Sequence, residues 1–353
     1  MCFLKVWSMI REKKDRPGAE DGTEYSPFCY VAAEWRKEMS DVLQRVYEIG
    51  IVPVIAIDDA EKAVPLAKAL VRGGLPAAEV TFRTAAAEEA IRRIVAEVPE
   101  MLVGAGTVLT KEQADRAIDA GVQFIVSPGF NPEITRYVLD KGMLMLPGTA
   151  TPGEMEQAMS MGLKVVKFFP AEQNGGVAKL KALAGPYTSL RWMPTGGVSE
   201  KNLLDYLKFN KIIACGGTWM VKKDLIEAGN WDEIERLTRQ AVQTMLGLRL
   251  DHVGINTENE QEARAAAELF ASMFGMKTEE GEMNFFMGNH EVEIIKKPFL
   301  GKKGHIAIAT NTLPRAVAYF RSRGFAFRED TVTDRMAYFA DEIAGFAIHL
   351  VQR

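Results

Sequence analysis

No stretch of this 353-residue chain approaches the roughly 18–20 apolar residues that a membrane-crossing helix needs. Cysteine is nearly absent. Cys2, Cys29 and Cys215 are odd in number and share no metal-ligand or disulfide spacing, which points to a reducing, cytoplasmic setting. Neither charge dominates: 43 basic residues face 47 acidic ones, a net charge of −4. That leaves no basic footprint for nucleic acid or an anionic membrane. The opening "MCFLKVWSMI" is interrupted by Lys5 and leads to no small-residue cleavage site, so it is not read as a signal peptide.

What is present is an ordinary globular composition, 47% hydrophobic and 25% charged, at a length that favours two domains. Residues 1–38 are charged, rich in turn formers and without period, so an extension lacking stable order is expected there. Met39 opens an amphipathic helix and marks the expected start of the functional unit. From Ile51 short apolar runs alternate with helical patterns: "IVPVIAI", "AAEVTFR", "LVGAGTVL", "FIVSPGF", "LMLPGTA", "VVKFFPA", "RWMPTGG" and "IIACGGTWM". The last helix of the series covers 231–247. Eight such units imply an α/β fold, a (β/α)8 TIM barrel over 39–247. A doubly wound open sheet is the competing architecture. After a boundary at 247–250 the rhythm changes. Residues 250–353 read as an internally duplicated α+β domain of two βαβββ-type modules.

The stretch "VKFFPAE" at 166–172 poses a chemical question, because it sets a lysine at the end of an apolar strand. A buried cation is costly unless it is paired or loses its proton. A neutral amine is a nucleophile that condenses with a ketone, and the protonated imine stabilises a carbanion on the adjacent carbon. Barrel active sites lie at the carboxyl ends of the strands, and the polar residues gather there. Lys167 has the parity of Val165 and Phe169, opposite to Lys164. Glu79, Thr81 and Arg83 share one face. Glu79 is the candidate proton shuttle and Arg83 a fork for a carboxylate. The glycines of "TGG" (195–197) and "CGGT" (215–218) expose backbone N–H groups suited to phosphate, though these loops supply no cation. Taken singly, each feature has a plain alternative: a snorkelling lysine, a strand with charges, a tight turn.

In this order the motifs "EVTFRT", "VGAGTVLT", "FIVSPGF", "LPGTATP", "VKFFPAE", "PTGG" and "CGGTWMV" resemble the class I family of 2-keto-3-deoxy-6-phosphogluconate (KDPG) aldolase and 4-hydroxy-2-oxoglutarate aldolase, over about residues 40–246. The resemblance implies a lyase that cleaves KDPG to pyruvate and glyceraldehyde 3-phosphate in the Entner–Doudoroff route. It implies no cofactor for this step, and usually a homotrimer. Lys167 would be the Schiff-base residue and Glu79 the general acid/base. Arg83 and Thr107 would bind the pyruvyl carboxylate, Pro128 and Phe169 would shape the pocket, and Gly196, Gly197 and Thr218 would receive the phosphate. Aldolases for 2-keto-3-deoxy-6-phosphogalactonate and for 4-hydroxy-2-oxoglutarate belong to the same family, so these substrates stay open.

Residues 250–353 resemble the vicinal-oxygen-chelate (VOC) family that includes glyoxalase I. "DHVGIN" and "GHIAIAT" match the first strands of its two modules. Active members hold a divalent metal with one His on each first strand and one Glu on each last strand. His252, His305 and Glu293 fit; the fourth position carries His349 instead of glutamate. All four histidines of the chain lie beyond residue 250. Three histidines and a carboxylate suit Zn²⁺, Ni²⁺, Mn²⁺ or Fe²⁺. The alternatives are a metal-free binding cleft or an assembly module. For the whole chain three readings stand: an aldolase with an accessory module, a ligand-binding protein without turnover, and a bifunctional enzyme.

Overall fold

The computed structural model describes residues 39–353; the expected extension over 1–38, with Cys2 and Cys29, lies outside the described residues. Nine strands carry the first part: β1 Ile51–Ile55, β2 Ala77–Thr81, β3 Leu102–Gly106, β4 Phe124–Val126, β5 Leu144–Leu146, β6 Gly148–Thr149, β7 Val165–Phe168, β8 Arg191–Pro194 and β9 Cys215–Gly217. Helices separate them, except between β5 and β6. Local chemistry starts several of these helices. Thr110 caps Lys111–Asp119, Asn131 caps Pro132–Asp140, and Thr151 with Glu154 closes a capping box on Pro152–Ser160.

All pairings in this part are parallel, in a curled six-stranded sheet β5-β4-β3-β2-β1-β9 and a three-stranded sheet β6-β7-β8. The result is a TIM-barrel-like α/β fold. The single ladder suggested by the sequence is divided, and two prolines explain where. Pro147 has no N–H, so the fifth predicted strand splits there; its first half pairs with β4 and its second with β7. Pro194 likewise has no N–H to donate, and β8 reaches the β9 region only through the bridges Trp192↔Ile212 and Thr195↔Gly216.

Strands β1 to β4 are buried along their whole length. One core lies between strands and helices. A second fills the interior, with Val52, Ala77, Leu102, Phe124, Val165 and Met193 among its members. The helix Asp41–Ile49 sends Leu43 and Val46 into that second core at the amino ends of the strands. Burying each side chain contributes about 1.5–3 kcal/mol.

Gly247, at φ 56°, ends the helix Trp231–Leu246, and β10 (Arg249–Asn256) follows at once. The remaining strands are β11 Thr278–Glu280, β12 Asn284–Met287, β13 Val292–Ile295, β14 Gly304–Thr310, β15 Met336–Ile343 and β16 Phe346–Gln352. They form one mixed sheet, β11-β12-β13-β10-β14-β16-β15, with β10 and β14 antiparallel at its centre. The duplication is visible: β10 pairs with β13, and β14 with β16, each in parallel. The first unit is βαβββ, with the helix Glu260–Phe274. The second, with the helix Leu313–Ser322, is βαββ, which corrects the expected second βαβββ module. Its missing strand is reduced to the bridge Phe327↔Phe339, because a 3₁₀ turn at Glu329–Thr331 breaks the extended backbone.

This sheet attaches at the amino-end face of the barrel-like part. Arg315, 3% exposed, donates from Nε to the Tyr47 carbonyl (2.9 Å) and from Nη2 to the Ile213 carbonyl (2.8 Å), with its guanidinium 4.9 Å from the Tyr47 ring centre. Leu313, Ala316 and Val317 join the outer core. Arg315→Ala orphans both carbonyls and opens a cavity, at a cost of about 2–4 kcal/mol. A lowered urea midpoint is expected. Arg315→Met keeps the volume and removes the buried charge, so it should cost less. Unchanged midpoints for both variants would show that this contact does not hold the two parts together.

Candidate active site and histidine cluster

Lys167 and Glu79 are 88 residues apart in sequence, yet Lys167 Nζ lies 3.2 Å from Glu79 Oε1. Both are buried, at 5% and 1% exposure. Lys167 sits on β7 between Gly148 of β6 and Met193 of β8. It shares its face with Val165 of the interior core, so the amine stands above that core. The Phe169 ring centre is 5.3 Å from Nζ. Glu79 occupies space that only a glycine on β3 leaves open: a Cβ on Gly106 would lie 2.3 Å from Oε1. Gly104, one layer below, clears the Phe124 ring in the same way. The second carboxylate oxygen of Glu79 is buried and has no hydrogen-bond partner among the described residues. An amine paired through one oxygen, with the other oxygen available, is an arrangement able to pass protons to and from a bound reactant.

The remaining candidates of the first part all lie just past the carboxyl ends of strands. Arg83 lies beyond β2, where strand parity no longer governs it; its Nε donates to Thr81 Oγ1 (3.1 Å), whose hydroxyl donates to the Ile55 carbonyl (2.8 Å). Thr107 follows β3 at φ 57°, a left-handed conformation that is strained for a β-branched residue. Pro128 follows β4 and crosses β6 so closely that a Cβ on Gly148 would lie 2.1 Å from its carbonyl oxygen. Gly196 and Gly197 follow β8 with φ of 96° and 80°. The "KFFPAE" and "TGG" segments are joined by backbone bonds from Ala171 to Thr195 (2.8 Å) and from Glu172 to Gly196 (3.1 Å).

Sequence reasoning missed the residues that hold this rim. Glu172 accepts a hydrogen bond from the Tyr206 hydroxyl and packs where a side chain on Gly197 would go. A cleft of about 490 Å³ opens past the carboxyl ends of β1, β2 and β9; its lining includes Arg83, Thr218, Trp219, Lys222, Lys223 and Asp224. It joins Arg83 to Thr218, while Lys167 and Glu79 are not part of its wall. The two lysines come four and five residues after Thr218, and nothing in strand periodicity marks them.

In the C-terminal sheet the four candidate ligands meet. His252 Nε2 is 3.0 Å from His305 Nε2, and Glu293 Oε2 is 3.4 Å and 3.1 Å from these two nitrogens. His252, His305 and His349 each offer a ring nitrogen within 4.8 Å of the others. Gly254 leaves room for the His305 ring, which a Cβ would overlap at 2.1 Å. Asp251 Oδ2 lies 2.9 Å from His252 Nδ1, and Arg353 grips Asp251 through two bonds. Those bonds, chiefly to Arg353, hold Asp251 down at about 2. Burial opposes charge on His252, but its bonds to Glu293 and Asp251 outweigh this and raise its pKa. Burial also opposes charge on Glu293, yet bonds to His252, His305 and Asn284 hold it well below the carboxylate range. His349 is stacked on Tyr338 at 4.4 Å. Burial, then repulsion by His305 and His252, pushes it down to about 3, so its imidazole is neutral at physiological pH. Both of its ring nitrogens are buried without a hydrogen-bond partner among the described residues.

Comparison with known proteins matches the first part of the chain. The family described as "Aldolase: KDPG and KHG aldolase" matches residues 42–237. The 2-dehydro-3-deoxy-phosphogluconate aldolase of Haemophilus influenzae is 48% identical over 201 residues, 57% of this chain and 95% of that protein. The enzyme of that name from Treponema pallidum is 46% identical over 205 residues, 58% of this chain and 98% of its own. Among solved structures, KDPG aldolase of Legionella pneumophila, with pyruvate captured as a covalent carbinolamine, shares 35% identity at a TM-score of 0.56 and covers 57% of this chain and 98% of its own. The Lys167–Glu79 pair, the strand-end residues around it and these likenesses converge: the chain belongs to the KDPG and KHG aldolase family.

Proposed function

We infer that this chain is a class I lyase that cleaves 2-keto-3-deoxy-6-phosphogluconate to pyruvate and glyceraldehyde 3-phosphate through a Schiff base. The observation that supports the chemistry is the buried Lys167–Glu79 contact at 3.2 Å, and relatives of that name cover almost their full lengths. Lys167 attacks the keto carbon, and loss of water from the carbinolamine leaves an iminium. Glu79 takes the proton of the C4 hydroxyl. The C3–C4 bond breaks, its electron pair moves into the iminium as an enamine, and the aldehyde leaves. Glu79 returns the proton to C3, and water releases pyruvate from the amine. Arg83 and Thr107 take the substrate carboxylate, Pro128 and Phe169 wall the pocket, and Gly196, Gly197 and Thr218 receive the phosphate. Incubation with pyruvate and borohydride tests the reading: a reduced adduct on the Lys167 peptide supports it, and an unmodified peptide refutes it. In this reading the strands close as one (β/α)8 barrel. A homotrimer goes with it on the family likeness, and a sedimentation mass other than three chains would remove it.

For the C-terminal sheet we propose a VOC-like unit that holds a divalent metal through His252, His305, Glu293 and His349. The residues fit such an ion. His349 is neutral with neither nitrogen hydrogen-bonded among the described residues, His252 is oriented by Asp251, and Glu293 accepts from Asn284. Such supporting contacts orient ligands in metal sites. A bound metal would supply Lewis-acid chemistry at this cleft. The full chain exposed to Zn²⁺, Ni²⁺, Mn²⁺ or Fe²⁺ and then dialysed should retain about one ion, and His305→Ala should lose it. An ion-free wild-type chain, or full retention by the variant, would remove the proposal.

A further inference from the structure

A phosphate ester carries nearly two negative charges, and the glycine turn at 196–197 offers it N–H groups but no counter-charge. We propose that Lys222 supplies that charge and sets the preference for a phosphorylated substrate; this rests on the aldolase reading and deepens it. Three observations carry the assignment. First, Lys222 lines the same cleft as Thr218, the hydroxyl expected at the phosphate, with Arg83 also in its wall. Second, the neighbouring lysine is committed: Lys223 Nζ lies 2.9 Å from Asp58 and 3.6 Å from Glu227, while Arg83 is oriented by its Nε bond to Thr81 and is assigned above to the substrate carboxylate.

Third, the Lys222 ammonium makes no hydrogen bond or ion pair among the described residues; only the backbone carbonyl is engaged, by Ile226 N–H. Its field reaches Glu233, but Arg236 already holds that carboxylate at 2.7 Å. Asp224 also lines the cleft and opposes an anion there, so the pole depends on an uncommitted cation. An exposed ammonium on a flexible stem pairs with a phosphate as a point charge. Substrate lacking the phosphate gives it nothing to pair with.

The test compares Lys222→Gln with the wild type on two substrates, 2-keto-3-deoxy-6-phosphogluconate and 2-keto-3-deoxygluconate, which differ only in the phosphate. A lost charge-assisted contact lowers kcat/KM for the phosphorylated substrate about 10–100-fold, with the other changing less than about twofold. Competitive inhibition by inorganic phosphate should weaken in parallel, and Lys222→Arg should restore both. Lys223→Gln should leave the ratio of the two substrates unchanged. An equal fall on both substrates, no fall on either, or a selective fall in Lys223→Gln alone overturns the assignment. Failure of the aldolase reading looks different: wild-type chain would then form no borohydride-trapped adduct with pyruvate and turn over neither substrate, and both inferences would fall together.

Discussion

Lys167→Met is expected to lower kcat by about 10⁴–10⁶-fold, the scale of losing a residue on which the whole covalent route depends. Methionine nearly matches the lysine stem in length, but its thioether has no amine to condense with the keto carbon to an imine. The variant also strips Glu79 of its buried partner. At 1% exposure an uncompensated carboxylate costs about 3–5 kcal/mol, so stability should fall along with activity. The double variant Lys167→Met with Glu79→Gln separates the two effects, because it removes both charges. It should recover most of the stability and none of the turnover. Pyruvate production by Lys167→Met at the wild-type rate would end the Schiff-base account.

Glu79→Gln should lower kcat by about 10²–10⁴-fold. Glutamine has the same shape and fits the space left by Gly106, and its amide oxygen still accepts from Lys167 at the 3.2 Å position. In the proposed reaction it would lose the capacity to take the C4 hydroxyl proton and return one to C3. Its KM should therefore stay within a few-fold of wild type. Solvent-proton exchange into the methyl group of pyruvate should slow together with cleavage, since both pass through the enamine. An undiminished exchange rate would show that another group, or water, moves the proton.

The C-terminal sheet sits at the far end from this chemistry. Arg315 reaches the carbonyls of Tyr47 and Ile213, both preceding their strands, whereas Lys167 and the glycine turns lie toward strand carboxyl ends. A metal held by the histidine cluster therefore does not share the site around Lys167. A second activity there would act on material that has left the first site.

Local pattern identified the strand-ending motifs, the parity that separates Lys167 from Lys164, and the turn glycines, because strand side chains alternate with a fixed period. That pattern also located the duplication after residue 250. It overreached where backbone chemistry intervened: the ladder breaks at Pro147 and Pro194, and the 3₁₀ turn at Glu329–Thr331 removes a strand from the second unit. Local pattern does not mark Lys222, because the role proposed for it comes from a shared cleft, and a cleft has no period.

By itself, then, the sequence determined which residue types end each strand and in what order, since these follow from steric and hydrogen-bonding preferences within a few residues. Long-range packing brings Glu79 to Lys167, gathers three histidines around Glu293, and sets Arg315 between the two parts. Those contacts depend on how the strands curl and stagger, which is set by packing between residues tens to hundreds of positions apart.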